Sequence, residues 1–287
     1  MKIHNKLKIL AVALTMSAFA VLGGCAADPE NAGKDSEDEI SSAETPEETL
    51  PPVSDREEPE VPSVTVPEVP VTQPNVKYAD YIRISADGVN LRSGAGTNYS
   101  SAGTAQKNTL YPVAGREGGW IKTYHKGKTV YIYYGLCTDV HIAESENKKY
   151  EDVIGEGYRV LGTPYVYGAV RLHDGKGRLL GGFSVNAFDC SSLMQYMFYK
   201  GAGYNLDVNT RTQVYQGSEV AKKDLKRGDL LFFTNASRKD KKGIERIGHV
   251  AIYLGDNYIL HTASDFAKIE QINQTRWGYY ITAKRIL

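Results

Sequence analysis

Phe188-Asp189-Cys190-Ser191-Ser192-Leu193-Met194-Gln195-Tyr196-Met197-Phe198 places a thiol where a helix begins. Leu193, Met194, Met197 and Phe198 recur at i, i+1, i+4 and i+5, the spacing of an apolar helix face. Asp189 is a natural N-cap and Gly201 stands where a C-cap is expected, so Cys190 becomes the first helical residue. A thiol at that position meets unpaired N–H donors and the positive end of the helix dipole, both of which favour the thiolate. The bland alternative is a structural cysteine whose position is coincidental.

Downstream, Gly248-His249-Val250-Ala251-Ile252-Tyr253-Leu254 and Asn257-Tyr258-Ile259-Leu260-His261-Thr262 read as two strands about the turn signal Gly255-Asp256. A register that sets His249 opposite His261 centres the turn on Gly255, and an odd-length loop then puts both imidazoles on one face. A two-residue Gly-Asp loop instead sends them to opposite faces. Side by side, one imidazole takes the thiol proton and the second orients the first. Cys190, His249 and His261 are also three of the four ligands a zinc ion wants, so a metal site stands as the rival of nucleophilic catalysis. The nucleophilic reading needs neither metal nor cofactor.

Working outward, Tyr150, Val153, Ile154, Tyr158 and Leu161 mark a helix over 149–161 that ends at Gly162. Before it, the short runs Tyr81–Ile84, Val89–Arg92, Thr109–Val113, Trp120–Tyr124 and Thr129–Tyr133 alternate with glycine-rich turns, as in a small β-barrel. Trp120, Tyr124, Tyr131, Tyr133 and Tyr134 either offer stacking faces or fill the barrel's core. Cys137 is expected to be a buried small hydrophobe. Solvent exposure is expected for His125, His141 and His173.

The 287 residues carry 34 basic and 34 acidic side chains, unevenly spread. Residues 26–78 hold fourteen acids, three bases and nine of the eleven prolines. Residues 79–287 hold 28 bases and 20 acids, a net of +8. The overall balance argues against a general nucleic-acid binder. The acidic, proline-rich stretch buries too little apolar surface to fold and is expected to be a disordered tether over 25–78. The three cysteines, Cys25, Cys137 and Cys190, form no C-x-x-C pair, which excludes a disulfide scaffold and leaves no paired-cysteine zinc motif. Lys2, Lys6 and Lys8 precede the apolar run Ile9–Leu22, the length of a secretory h-region. Its end, Leu22-Gly23-Gly24-Cys25, resembles a bacterial lipobox. That resemblance implies a signal over 1–24, lipidation of Cys25 and a membrane anchor facing the cell wall.

The string Val-Asn-Leu-Arg-Ser-Gly-Ala-Gly-Thr-Asn-Tyr over 89–99, followed by Gly-Gly-Trp-Ile-Lys over 118–122, resembles the bacterial SH3-like domain. The resemblance covers 79–141, and the family binds or positions wall material. Leu161-Gly-Thr-Pro-Tyr-Val-Tyr-Gly168, Phe188-Asp-Cys-Ser191, Leu225-Lys-Arg-Gly-Asp-Leu-Leu-Phe-Phe233, Gly248-His-Val-Ala-Ile-Tyr-Leu-Gly255 and His261-Thr-Ala-Ser264 follow one another in the order of the NlpC-type cell-wall cysteine endopeptidases. That resemblance covers 149–287 and implies an α+β chain, an SH3-like barrel followed by a papain-like peptidase that cleaves peptidoglycan stem peptides between γ-D-glutamate and the diamino acid. Carried over, Cys190 resembles the nucleophile, His249 the base, His261 the residue orienting it and Tyr165 an oxyanion donor. Asp189, Ser191 and Thr210 match positions that bind the free amine of N-terminal L-Ala in some relatives. A monomer is expected.

Two departures stand out. Ser192 occupies the place of the family's glycine after Cys-Ser, and residues 169–184 are longer than its usual loop. This stretch is expected either to line the groove or cover it as a lid, or to be a disordered insertion. The rival readings are a wall-binding lipoprotein without activity, and an amidase or acyltransferase on the same fold.

Overall fold

A computed structural model describes residues 76–287. The signal, the lipidation of Cys25 and all but the last three residues of the expected tether lie outside the described residues. Eight strands come first: β1 (Tyr78–Ile84), β2 (Val89–Arg92), β3 (Ser101–Ala105), β4 (Leu110–Pro112), β5 (Gly115–Glu117), β6 (Trp120–His125), β7 (Lys128–Tyr133) and β8 (Cys137–Ala143). They lead into α1 (Lys148–Arg159), α2 (Cys190–Ala202) and the single turn α3 (Thr210–Gln213). The rest is β9 (Ser218–Val220), β10 (Leu230–Phe233), β11 (His249–Gly255), β12 (Tyr258–Ala263), β13 (Phe266–Gln271), α4 (Gln274–Gly278) and β14 (Tyr280–Arg285).

The strands form two sheets. One has five strands in the order β3-β2-β7-β6-β5. The other has nine, β8-β1-β4-β13-β12-β11-β10-β14-β9, and runs from the barrel strands into those after α3 through the pair Leu110–Ile269. One apolar core follows the same path, from Ile82 and Leu91 to Leu193 and Ile252. On the sheet's far face a smaller core gathers Leu231, Phe233, Ala251 and Ile259. β3 and β8 escaped the sequence reading because Ser-Ala-Gly-Thr-Ala and Cys-Thr-Asp-Val-His-Ile-Ala carry few strand-forming apolar side chains. Within the barrel, Trp120 is buried against the exposed Tyr133. Cys137 is only partly buried.

His125 is not exposed as expected but 7% accessible, because the Lys126-Gly127 turn docks on the end of α1. Lys126 N–H donates to Leu161 O and Gly127 N–H to Arg159 O. His141 does lie exposed, paired with Asp80 at 2.7 Å.

Cys190–Phe198 of α2 are all buried, since α1 covers one side of the helix and the sheet another. Gly201 is not the C-cap. It lies inside the helix, where a Cβ would come within 2.5 Å of the Val153 backbone of α1. Gly203, at φ +65°, takes the left-handed cap instead.

Candidate active site

Asp189 caps α2 as expected, and Ser192 completes the cap. Asp189 Oδ1 accepts from Ser192 N–H at 2.8 Å, and Ser192 Oγ accepts from Asp189 N–H at 2.9 Å. A glycine at 192 could not return that second bond. Cys190 is thereby fixed as the first helical residue, near enough to the backbone N–H groups of Val250 and Ser191 for them to favour its ionised form. His249, at the start of β11, lines the same cavity as the thiol.

The β11–β12 hairpin differs from the register expected. Asp256 and Asn257 both have positive φ, 47° and 63°, which makes a two-residue type I′ turn with Gly255 facing Tyr258. Continued unchanged, that odd register would put His249 and His261 on opposite faces. A bulge between Tyr253 and Gly255 shifts it by one residue, so that Tyr253 faces Ile259 and Ile252 faces Leu260. The imidazoles return to one face as diagonal neighbours, with His249 Nε2 3.0 Å from His261 Nδ1. His261 Nε2 in turn lies 3.0 Å from Glu270 Oε1 on β13.

Glu270 decides the tautomers. Burial alone would raise its carboxyl, but the hydrogen bond from His261 and the charges of Lys268 and Arg276 hold it well below the ordinary carboxylate range. Lys268 Nζ is 3.2 Å from Oε2 and Arg276 Nη2 donates to Oε1 at 2.7 Å. An ionised carboxylate only accepts, so His261 Nε2 carries the proton and its Nδ1 accepts. His249 then donates from Nε2, which leaves its Nδ1 lone pair as the basic atom. Glu270 was not read from the sequence. Its only sequence signal is an acidic residue nine positions after His261, which becomes meaningful once β13 pairs with β12.

Burial also sets the resting charges. The Cys190 thiol is pushed up to about 12, first by burial and then by the neighbouring Asp189 charge, against the pull of the two N–H donors and Arg171. The expected thiolate is therefore not the resting form, because desolvation outweighs the helix N-terminus. His249 is held well below its ordinary 6.5 by burial, then by His261 and Arg276. His261 is lowered too, chiefly by burial. The resting pair is a neutral thiol beside a neutral base. Among the described residues, no three or more His, Cys, Asp or Glu side chains converge as a metal would require.

Two cavities meet at Cys190. One of about 390 Å³ runs past His249, Asn273, Arg276 and Tyr279. The other, of about 550 Å³, runs past Asp189, Ser191, Thr210 and Tyr167. Tyr165 lines both, bridged to Phe188 beside the thiol. The candidate residues thus share one groove, with His261 fully buried beneath it.

The 169–184 stretch is not a disordered insertion; through Arg171 it lines the groove, one of the placements expected for it. His173, expected to be solvated, is 0% exposed, with its ring 5.1 Å from Tyr199 and its backbone N–H donating to Gln195 Oε1. Buried packing against α2 fastens the insertion down, and Arg171 within it lines the larger cavity.

Both parts of the chain are similar to known proteins. Residues 162–286 match the NlpC/P60 family and residues 87–136 the bacterial SH3 domain. The chain is 31% identical over 172 residues to a gamma-D-glutamyl-L-lysine dipeptidyl-peptidase of Bacillus subtilis, covering 60% of this chain and 50% of that one. It is 30% identical over 135 residues to peptidoglycan endopeptidase RipA of Mycolicibacterium smegmatis, covering 46% and 25%. A solved NlpC/P60 family protein from Bacillus cereus aligns at 23% identity over 73% of this chain and 64% of that one, with a TM-score of 0.38. The chain thus spans half or less of the length of these two curated relatives.

Proposed function

We propose, on the premise that residues 162–286 are an NlpC/P60 domain, that this chain is a peptidoglycan hydrolase. It is a cysteine endopeptidase that cuts murein stem peptides between γ-D-glutamate and the diamino acid. The observation that carries this reading is the continuous line His249–His261–Glu270, with 3.0 Å at both links, ending beside the thiol at the head of a buried helix. Such a line has no structural purpose as economical as aliphatic packing, and it leaves one basic nitrogen free.

In this reading His249 Nδ1 takes the Cys190 proton as Sγ bonds to the scissile carbonyl carbon. The oxyanion is held by Tyr165 and backbone N–H groups at the head of α2. The C–N bond then breaks, with His249 returning its proton to the amine of the diamino acid. Water, deprotonated by the same nitrogen, adds to the thioester and releases the carboxylate, and the thiol regains its proton. The enzyme works outside the cell at the wall, anchored by the lipid on Cys25, and its SH3 domain presents it to that wall.

The test is incubation of the whole protein with purified peptidoglycan and mass spectrometry of the products. New carboxylates on γ-D-glutamate and new free amines on the diamino acid are expected, and both vanish in a folded Cys190→Ala variant. Release of the same fragments by that variant would overturn the assignment.

A further inference from the structure

Asp189 is the one acidic side chain lining the larger cavity, and all its acceptor capacity is spent. Oδ1 accepts from Ser191 Oγ at 3.0 Å and from Ser192 N–H at 2.8 Å. Oδ2 accepts from Gly168 N–H at 3.2 Å and from Arg171 Nη1 at 2.8 Å. A carboxylate offers about four lone-pair sites, and here four intramolecular donors fill them.

Arg171 is itself built in. Its Nε donates to Val208 O at 2.7 Å, its Nη1 also to Ala169 O, and its Nη2 to Ser191 Oγ at 3.2 Å. Its side chain is only 18% exposed. Ser191 Oγ, which donates to Asp189 and accepts from Arg171, is equally committed. Two of the three positions expected to bind an amine are therefore closed by a residue from the 169–184 insertion. The charge around the cavity is also net positive, since Arg171, Arg211 and Arg238 outnumber Asp189 there. Glu245, outside the lining, offsets only part of this, at 2.9 Å from Arg238 and 3.4 Å from Arg211. Tyr167 on the rim is 84% exposed, a free ring face beyond Arg171.

From this geometry we infer that Arg171 makes the subsite reject a peptide with a free N-terminal amine and accept one whose N-terminus is acylated. The preferred substrate is then the stem peptide still attached at its N-terminus, and the flanking group continues over Tyr167. The inference rests on the proposed peptidase activity. An entering ammonium would find no free acceptor on Asp189 and a guanidinium in its place, a repulsive element that sets selectivity. An amide N-terminus carries no charge to repel.

The test compares L-Ala-γ-D-Glu-diamino acid tripeptides, one with a free amine and one N-acetylated. The wild-type kcat/KM is expected to favour the acetylated peptide by roughly tenfold or more, a like-charge clash being worth at least that. Arg171→Met should shift the ratio at least tenfold towards the free amine, whereas Arg171→Lys should largely keep it. Equal or inverted wild-type preference would overturn the inference, as would a ratio that Arg171→Met leaves unmoved. If the wild type cuts neither peptide, the peptidase reading fails, and calorimetric binding to Cys190→Ala decides the selectivity alone. Tighter binding of the acetylated peptide supports the inference, and equal binding overturns it.

Discussion

His249 and His261 are diagonal rather than opposite across the β11–β12 ladder, yet Nε2 and Nδ1 meet at 3.0 Å. A single bulge before the Asp256-Asn257 turn brings this about, and Glu270 then fixes which nitrogen of each ring holds a proton.

Removing that fixation should cost rate more than binding. Glu270→Ala frees His261 to protonate Nδ1, which leaves His249 without an acceptor for its Nε2 proton. The expected loss is roughly tenfold to a hundredfold in kcat, the usual cost of removing a group that fixes a histidine's tautomer and orientation, with KM little changed. Steady-state kinetics on a stem peptide checks it. A rise in KM at constant kcat would place Glu270 in substrate binding instead.

The pH profile follows from burial. His249 is held below its ordinary 6.5, so it stays unprotonated and basic through neutral pH and is lost only as the solution becomes more acid than that. With the thiol pushed up to about 12 by burial, activity depends on proton transfer during attack rather than on prior ionisation. The kcat/KM profile should therefore be flat from about pH 6.5 to 9, where an ordinary cysteine would titrate. Iodoacetamide should likewise label Cys190 slowly at pH 7 and faster as pH rises. Alkylation that saturates below pH 8 would contradict a neutral resting thiol.

His125 adds an acid sensitivity of the fold. Burial, then the Lys126 charge, lowers it to about 4, and its Nδ1 has no hydrogen-bond partner. The unfolded chain protonates this ring near 6.5 and the folded one does not. Stability is thus fully present above pH 6.5 and falls as pH drops towards 4, by something like 3 kcal/mol. Thermal melts of His125→Gln against wild type over pH 7 to 4.5 should show a shallower decline in the variant. Parallel declines would exclude His125 as a source.

Gly201→Ala tests the helix crossing. A methyl group placed 2.5 Å from the Val153 backbone must push α1 and α2 apart, a loss of about 1–3 kcal/mol seen as a lower Tm. Gly155→Ala, on α1 with nothing near its missing Cβ, should leave Tm unchanged or raise it.

Much of the site was legible because its chemistry is local. Asp189-Cys190 announces a helix start from two adjacent residues, and two histidines flank one turn. What escaped depends on distant parts of the chain. The hairpin register turns on the bulge, and the glycine that permits it looks like any other glycine of a turn. Glu270 gains its meaning from β13 lying beside β12, and Arg171 from the insertion folding back on the cap of α2. His125 and His173 sit among polar neighbours in sequence and are covered only by tertiary packing. The thiol's resting state was misjudged because helix position can be read from sequence whereas desolvation cannot.

The Leu110–Ile269 pair has a consequence for how this molecule can be taken apart. Cutting the chain ahead of α1 would strip β13 of its outer neighbour and bare Gly162 where His125 covers it. The excised piece would present a raw strand edge carrying Phe266–Gln271, an invitation to pair with other copies of itself. The barrel is therefore not a detachable cassette but the selvedge of the nine-stranded sheet, and a graft of either half onto a foreign partner would have to weave that margin anew.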